Sequence, residues 1–170
     1  GDPIIIRAGE LDVRVGTGYS ADGARVVSGF RNGIAVISTR RPFNADELPL
    51  LRVETRGDNR KHMSFFWRRA ADPASLHSID VSGPRGLRWR NLADESSWSG
   101  SLTEVGLLFY DDGGRSLTVE TLALYPATLS HWLTSTWANW FEHGAWSMKS
   151  AHFLYTGKTD LRDSLPLLVL

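Results

Sequence analysis

The feature that most constrains this chain is a succession of short β-prone runs, which turn residues interrupt at intervals of roughly 8–15 residues. The runs are rich in β-branched residues, leucine and aromatic residues, and the gaps between them are rich in glycine, proline, asparagine and aspartate. The sequence never alternates strands with helices as a parallel α/β fold does. The succession therefore predicts an all-β fold of antiparallel strands.

The candidate strands, by residue number, are 4–6, 11–15, 33–38, 50–55, 63–68, 76–81, 87–92, 105–110 and 117–124. The last two flank Asp111-Asp112-Gly113-Gly114, and this turn sequence predicts that they pair as a hairpin. The run 87–92 alternates apolar and basic residues, which is typical of a strand with one face in water. We predict an antiparallel β-sandwich, and we prefer a jelly roll to an immunoglobulin-type sandwich.

One segment departs from the β pattern. Large apolar residues recur there at helical spacing: Leu129, Trp132, Leu133, Trp137, Trp140 and Phe141. Thr128 or Ser130 can cap the start of a helix, and Gly144 can end it. We therefore predict one amphipathic helix over residues 128–143, with Trp146 just beyond its end.

The tryptophans of this helix have three interpretations. They can pack in the core, because each aromatic side chain can bury about 150–250 Å². They can instead lie at the headgroup level of a membrane, or form a platform for a flat ligand such as a sugar. We expect Trp132, Trp137, Trp140 and Phe141 to be core residues or to seat the domain on a bilayer.

The composition excludes several classes of protein. The 170 residues suit a single domain with its own core, and Lys plus Arg equal Asp plus Glu at 19 each. Nucleic-acid-binding proteins normally carry a basic excess, so no nucleic-acid partner is expected. The absence of cysteine excludes disulfides, cysteine-ligated zinc and a thiol nucleophile.

Both ends of the chain suggest a domain excised from a longer membrane protein. The chain begins with Gly1 rather than methionine and ends in the apolar stretch 165–170. This stretch is either a last strand or docked tail, or the beginning of a membrane span. A helical span needs about 20 residues, so none lies within the chain. We expect a single β-sandwich domain over residues 1–170.

A small set of residues outside the helix forms the candidate ligand site. These residues are Trp67, Trp89, Trp98, Arg68, Arg90, Asn91 and Asp94. The tryptophans would stack on the C–H faces of sugar rings, and the polar residues would hydrogen-bond the vicinal hydroxyls. Core packing is the alternative for each tryptophan taken singly.

No catalytic residue, metal site or cofactor is predicted. The sequence contains no nucleophile elbow, phosphate-binding loop or His-Glu-x-x-His motif. His77 and Asp80 would project from opposite faces of a strand, so they would not share a metal ion. Glycoside hydrolysis needs two carboxylates about 5–9.5 Å apart, and no motif marks such a pair.

Several phrases of the sequence resemble a known kind of domain. They are "FFWRRA", "WSGSLTEVGLLFYDDGGRSLTVETLALYP", the tryptophan-rich helix and "GAWSMKSAHFLYTG", all within residues 49–157. Together they resemble the galactose-binding-like, carbohydrate-binding-module-like jelly rolls found as extracytoplasmic domains of bacterial inner-membrane proteins of glycan metabolism. The resemblance implies a jelly roll, a periplasmic location and flanking membrane spans, and it implies no catalytic residues.

The sequence therefore predicts a non-catalytic accessory domain that binds or positions a glycan at the periplasmic face of a membrane protein. Its partners would be a glycan, and either a membrane surface or the rest of the parent protein. The alternative is a structural or protein-interaction domain without a sugar site. An exposed apolar patch along the helix would favour that alternative, whereas an open groove floored by Trp89 or Trp98 would favour the glycan.

Overall fold

Two antiparallel sheets pack face to face in the computed structural model, and one helix lies against one of them. The structure describes residues 2–57, 62–83, 86–110 and 116–142, with side chains up to residue 137. In chain order the strands are β1 (Ile4–Ile6), β2 (Asp12–Val15), β3 (Thr17–Ala21), β4 (Ala24–Gly29), β5 (Ile34–Thr39), β6 (Phe43–Asn44), β7 (Leu50–Gly57), β8 (His62–Arg69), β9 (Asp72–Asp80), β10 (Leu87–Asn91), β11 (Ser101–Tyr110) and β12 (Leu117–Tyr125). The helix is α1 (Leu129–Glu142), and two single-turn 3-10 helices span Ala8–Glu10 and Ala45–Glu47.

The order of the strands is that of a jelly roll. Sheet A has the order β10-β7-β12-β4-β3 with β1 beside β12, and sheet B has the order β2-β5-β11-β8-β9 with β6 beside β11. When β1, β2, β3 and β6 are left out, the sheets are β4-β12-β7-β10 and β5-β11-β8-β9, which is the double Greek-key arrangement. The prediction of an antiparallel β-sandwich with one helix is therefore confirmed.

The core lies between the sheets and follows the period of two expected of strands. On β11 the residues Val105, Leu107 and Phe109 point into the core and are fully buried. Sheet A contributes residues such as Val53 and Leu122 from the opposite side. The residues that alternate with these form the two outer faces, and the outer faces are where the sheets differ.

The prediction that residues 105–110 and 117–124 pair as a hairpin is wrong. Both runs are strands, but β11 belongs to sheet B, where it pairs with β5 and β8. The following strand, β12, belongs to sheet A, where it pairs with β1, β4 and β7. Asp111-Asp112-Gly113-Gly114 lie outside the described residues. Turn residues predict a reversal of the chain, but they do not determine which strand becomes the partner.

A two-residue hairpin joins β3 to β4, where no strand was predicted. The strands pair from Ala21 and Ala24 outward, and the loop residues Asp22 and Gly23 have φ angles of 50° and 77°. Positive φ at both loop positions matches the twist of a hairpin, and Asp-Gly is a preferred sequence for it. The turn signal was present, but the run before it (TGYSA) is mostly small and polar and the run after it (ARVVSG) has only two β-branched residues, so neither stood out as a strand.

The helix α1 confirms the predicted helix to within one residue at each end. The Thr128 hydroxyl accepts the backbone N–H of His131 at 3.3 Å, as expected of an N-cap. The helix packs against β10 and β7 of sheet A. Within the described part of the chain, no helix has the length and apolar character needed to cross a membrane.

The apolar stripe of α1 faces away from the core over the residues whose side chains are described. Leu129 and Trp137 are 74% and 69% exposed, and Trp132 and Leu133 are 45% and 41% exposed. The interpretation of Trp132 and Trp137 as core residues is therefore wrong, because the helix turns a small residue, the buried Ser135, towards the protein. The other two aromatic residues of that prediction, Trp140 and Phe141, lie outside the described side chains, and Trp146 lies outside the described residues.

Candidate functional site

Two of the three tryptophans predicted to contact a ligand are part of the core. Trp67 and Trp98 are 0% and 5% exposed, and their rings meet edge to face with centroids 5.3 Å apart. The Trp67 indole N–H donates to the carbonyl of Ser97 at 3.1 Å, and Phe65 packs on both rings. A sugar could stack on either indole only if the sandwich opened. Core packing, the alternative weighed from the sequence, is what the structure shows for both.

Trp89 lies on the outer face of sheet A beneath the start of α1, and it is 5% exposed. Its ring packs on Tyr125 with centroids 5.2 Å apart, and His131 of α1 meets the same tyrosine at 4.8 Å. The guanidinium of Arg52, its register partner on β7, lies 6.0 Å from the indole centre, within cation–π range. Trp89 therefore helps to hold the helix on the sheet.

The alternation of apolar and basic residues on β10 is inverted relative to the prediction. Arg88 points into the sandwich and is 2% exposed, whereas Leu87 is 36% exposed. The Arg88 guanidinium donates to the Thr55 hydroxyl at 3.0 Å and to the Gly83 carbonyl at 2.9 Å. Burial of a charged group requires such partners, and the position of β10 at the edge of sheet A supplies them.

The polar residues predicted to surround Trp89 make structural contacts at the same sheet edge. Arg90 donates to three backbone carbonyls, at 2.8, 3.4 and 3.4 Å, and ties β10 to the end of β9. The Asn91 side chain donates to the Asp94 carboxylate at 3.2 Å and accepts the backbone N–H of Ala93 at 3.1 Å. These contacts close the turn after β10, as asparagine and aspartate commonly do.

Two carboxyl groups at the ends of β9 have shifted pKa values. Burial raises the pKa of Asp80, but hydrogen bonds from the Ser82 hydroxyl at 2.6 Å and backbone N–H at 2.9 Å outweigh burial and lower it below 3.8. Hydrogen bonds from the Ser75 hydroxyl and backbone lower the pKa of Asp72. A carboxyl group whose pKa is lowered by folding stabilises the folded state at pH values above its ordinary pKa. This stabilisation is lost as the pH falls through the lowered pKa.

An open groove lies on the outer face of sheet B, the sheet that α1 does not cover. Its volume is about 560 Å³, within the ~300–1,000 Å³ that is typical of ligand sites. Its apolar lining consists of Val36, Phe66, Pro73, Leu76 and Leu108. Its polar lining consists of Arg14, Arg40, Arg68, Thr103 and Glu104. Arg68 is the member of the predicted ligand set that lines this groove.

The floor of the groove is formed by the ring of Phe66, which packs against Gly106. Gly106 of β11 is the register partner of Phe66 of β8. A Cβ atom at Gly106 would lie 2.8 Å from two carbons of the Phe66 ring and 2.2 Å from the Ile37 carbonyl oxygen, so only glycine fits there. Leu76 forms an apolar wall that is 46% exposed, and Tyr110, 47% exposed, lies farther along the same face of β11.

A single carboxylate organises the polar side of the groove. The Glu104 side chain is 12% exposed, and its Oε1 accepts the Ser38 hydroxyl at 2.6 Å. Its Oε2 lies 3.4 Å from Arg68 Nε and 4.0 Å from Arg40 Nε. The Ser38 hydroxyl accepts Arg14 Nε at 3.0 Å. Three guanidinium groups, from β2, from the end of β5 and from β8, therefore converge around one carboxylate.

The three arginines are held to different degrees. Arg68 also donates to the carbonyls of Pro73 and Ala74, both at 3.0 Å. Arg14 also pairs with Asp12 at 3.2 Å, and the Asp12 carboxylate is 63% exposed. Arg40 is 70% exposed and its contact with Glu104 is 4.0 Å long. With three arginines against one glutamate, the lining carries a formal charge of +2, or +1 if Asp12 is counted with it.

The carboxylates of the described residues do not form a metal centre. No group of three His, Asp or Glu side chains there could hold a metal ion. The groove lining includes one carboxylate, Glu104, whereas acid–base hydrolysis of a glycoside uses two. The groove therefore offers apolar surface and guanidinium groups as the means of contact with a ligand.

Comparison with solved structures bears on the fold. No protein-family model matches the sequence, and no curated protein matches it significantly. The low-affinity xylan-binding module CBM86 of Roseburia intestinalis matches with a TM-score of 0.56 at 14% identity, covering 74% of this chain and 96% of that one. This chain has the fold of a carbohydrate-binding module.

Two further solved structures match with lower scores. A CBM32 module produced by Clostridium perfringens has a TM-score of 0.46 at 8% identity and covers 69% of this chain and 94% of that one. The family 11 carbohydrate-binding module of a Clostridium thermocellum cellulase has a TM-score of 0.44 at 8% identity and covers 74% of this chain and 88% of that one.

The groove residues that sequence reasoning missed were marked by weaker signals than tryptophan. Glu104, Gly106, Leu108 and Tyr110 alternate along β11, which places them on one face of a strand. A glycine inside a strand often marks a close approach of another group, and here that group is the ring of Phe66. The other lining residues, apart from Thr103 of β11, come from β2, β5 and the residue after it, β8 and β9, and only the tertiary fold brings them together.

Proposed function

We propose that this chain is a non-catalytic glycan-binding domain and that the groove on the outer face of sheet B is its binding site. The observation that carries the proposal is the groove itself, an open cavity of about 560 Å³ in which an apolar floor adjoins a convergent set of arginines. Sugars present apolar C–H faces and polar hydroxyls, so a site that combines both kinds of contact suits them.

Two further observations support a binding role. Glu104 is held by Ser38 and Arg68, so it serves as an anchor for side chains, and the described residues of the lining include no second carboxylate. The structurally similar CBM86 module binds xylan, and we extend the same general activity, binding of a glycan, to this chain. A fold by itself does not determine function, so the groove carries the proposal.

The binding test is a comparison of two leucines on opposite sheets. Leu76 lies on β9 at the edge of sheet B and lines the groove, and Leu87 lies on β10 at the edge of sheet A. They are 46% and 36% exposed, so replacement of either by alanine leaves the core intact. The wild-type domain is first screened on a glycan array, and the oligosaccharides that bind are then titrated calorimetrically into both variants.

We expect Leu76→Ala to weaken binding about fivefold or more, because it removes an apolar contact worth ~1 kcal/mol at the ligand. We expect Leu87→Ala to bind like the wild type. The proposal fails if no oligosaccharide binds, or if Leu87→Ala weakens binding as much as Leu76→Ala does.

We further propose that the domain acts at the periplasmic face of a bacterial inner membrane, as an accessory part of a longer membrane protein. The exposed apolar stripe of α1 supports this placement, because tryptophan is favoured at the headgroup level of a membrane. Sheet B faces away from that stripe, so its groove would remain open to a glycan while the helix side met the membrane or the rest of the protein.

The same stripe favours a second candidate function, a docking domain without a sugar site. Leu129 and Trp132 are 74% and 45% exposed, and exposed apolar patches commonly mark interaction surfaces. Co-sedimentation with vesicles of phosphatidylethanolamine and phosphatidylglycerol, with Leu129→Ser and Trp132→Ser beside the wild type, tests this role. Binding to vesicles that both substitutions reduce, together with silence on the glycan array, would favour docking over glycan binding.

A further inference from the structure

We propose that the ligand of this groove is an acidic glycan, one whose sugar residues carry carboxylates, as uronic acids do. The inference rests on the proposed function, since it names the class of glycan that the same groove would select. It is carried by the unequal numbers of cationic and anionic groups around Glu104.

The groove has more guanidinium than carboxylate. Each guanidinium presents five N–H donors and no acceptor. Arg68 and Arg40 lie against Glu104, and Arg14 reaches it through the Ser38 hydroxyl. Of the two oxygens of Glu104, Oε1 takes the Ser38 hydroxyl, and Oε2 is shared by Arg68 at 3.4 Å and Arg40 at 4.0 Å. A second carboxylate, supplied by a ligand, would complete this arrangement with charge-assisted, bidentate hydrogen bonds.

Arg40 is the guanidinium best placed to receive that carboxylate. It is 70% exposed, and its 4.0 Å contact with Glu104 is at the limit of an ion pair. Arg68 and Arg14 are fixed by additional contacts, to backbone carbonyls and to Asp12 respectively. The groove therefore combines two positioned cations with one that can turn towards a ligand.

The outer face of sheet A shows that this excess is local. There Arg52 pairs with Glu54 at 2.8 Å, and Arg56 pairs with Glu120 at 2.7 Å, so each arginine has its own carboxylate. The chain as a whole has 19 basic and 19 acidic residues. The positive charge of the groove is thus a property of that site and does not follow from a basic protein.

The aromatic content of the groove points the same way. Neutral sugars are commonly held by stacking on an exposed aromatic face. The aromatic residue in the lining is Phe66, which is 3% exposed and whose ring rests against Gly106. Charge recognition by the arginines is therefore the stronger means of selection that this groove offers.

The test uses acidic oligosaccharides and their neutral counterparts. Tetrasaccharides of galacturonate, mannuronate and hyaluronate are titrated into the full chain, each beside the same oligosaccharide with its carboxyl groups reduced to alcohols. Arg40→Gln is compared with Arg56→Gln, a matched control that is also an exposed arginine paired with a glutamate, but on sheet A. Thermal unfolding of both variants shows whether each is folded.

We expect at least one acidic tetrasaccharide to bind and its carboxyl-reduced form to bind at least about tenfold more weakly. Arg40→Gln should weaken the acidic ligand about tenfold, Arg56→Gln should not, and added salt should weaken binding further. If the reduced forms bind as well as the acidic ones and Leu76→Ala weakens them, this inference is overturned while the groove remains a glycan site. If neither these tetrasaccharides nor any array glycan binds, both proposals are overturned.

Discussion

The two outer faces of this sandwich use similar residues in opposite ways. On sheet A, the aromatic side chains of Trp89 and Tyr125 are covered by the start of α1, and each arginine is matched with a glutamate. On sheet B, no described helix covers the face, the Phe66 ring packs against Gly106, and the arginines of the groove lining outnumber its carboxylates. The helix covers one face, and the other face carries the groove that we propose as the glycan site.

The difference teaches that tryptophan content does not by itself mark a ligand site. Trp67 and Trp98 fill the core, and Trp89 lies under a helix, so all three bury large areas that hold the fold together. The lining of the groove on sheet B includes arginines, a glutamate and an exposed leucine. A residue type that suits sugar binding must also lie on an open face before it can serve that purpose.

Among the substitutions that test this contrast between core and groove, we expect Trp67→Ala to change the free energy of unfolding most. The substitution leaves a cavity between the sheets and removes the hydrogen bond to Ser97, so we expect unfolding to become easier by about 3–5 kcal/mol. Trp67→Phe should lose less, because it fills most of the volume. Chemical denaturation of both variants measures the change. Loss of glycan binding in a Trp67 variant of undiminished stability would return this residue to the ligand site.

The next largest effect is expected from Gly106→Ala. The added methyl group would collide with the Ile37 carbonyl at 2.2 Å and with the Phe66 ring at 2.8 Å, so we expect a loss of about 1–3 kcal/mol and weaker glycan binding. Gly9→Ala is the control, because a Cβ there would meet nothing within 4 Å. Equal denaturation curves for the two variants would contradict the account of the groove floor.

A smaller effect is expected from Glu104→Gln. The amide can still accept the Ser38 hydroxyl, but it cannot neutralise Arg68 and Arg40, so we expect a loss of about 1–2 kcal/mol. Binding of an acidic tetrasaccharide should be maintained or strengthened, because the groove becomes more positive. Calorimetry on the folded variant measures both quantities. An acidic ligand that binds more weakly to a well-folded Glu104→Gln variant would argue that Glu104 contacts the ligand directly.

The smallest effect is expected from Thr128→Ala on the other face. This change removes the N-cap hydroxyl that accepts the His131 N–H and should cost about 0.5–1 kcal/mol. Because α1 covers sheet A and leaves sheet B open, glycan affinity should not change. Thr134→Ala, an exposed position within the helix, is the control for stability. A parallel loss of glycan binding would show that the two faces are not independent.

The sequence predicted the architecture better than the pairing of its strands. Alternation and turn residues predicted the sandwich, and the helical spacing of large apolar residues predicted α1, because these signals are local. They did not predict that β11 and β12 separate into opposite sheets, since pairing depends on the whole topology. The Asp22-Gly23 hairpin was missed for a different reason, because the runs on either side of the turn did not stand out as strands.

The sequence also did not predict which face of a strand points into the core. The alternation on β10 has the right period, but Arg88 points inward, because the hydrogen bonds that its guanidinium donates to the Thr55 hydroxyl and the Gly83 carbonyl make its burial tolerable. The groove could not be predicted from the sequence either. Arg14, Arg40 and Glu104 are far apart in sequence, and only the pairing of β2, β5 and β11 in sheet B brings them together. Arg68 was predicted as a ligand contact without a stated position, and the structure places it in the groove lining.

NMR titration can show directly whether a glycan binds on sheet B. Isotope-labelled protein is titrated with the array oligosaccharide that binds most tightly, and the methyl signals of the groove are compared with the indole N–H signal of Trp89. We predict that the methyls of Val36, Leu76 and Leu108 shift with the ligand, while the Trp89 indole does not. Shifts concentrated at Trp89, Asn91 and Asp94, with the groove methyls unchanged, would contradict the account.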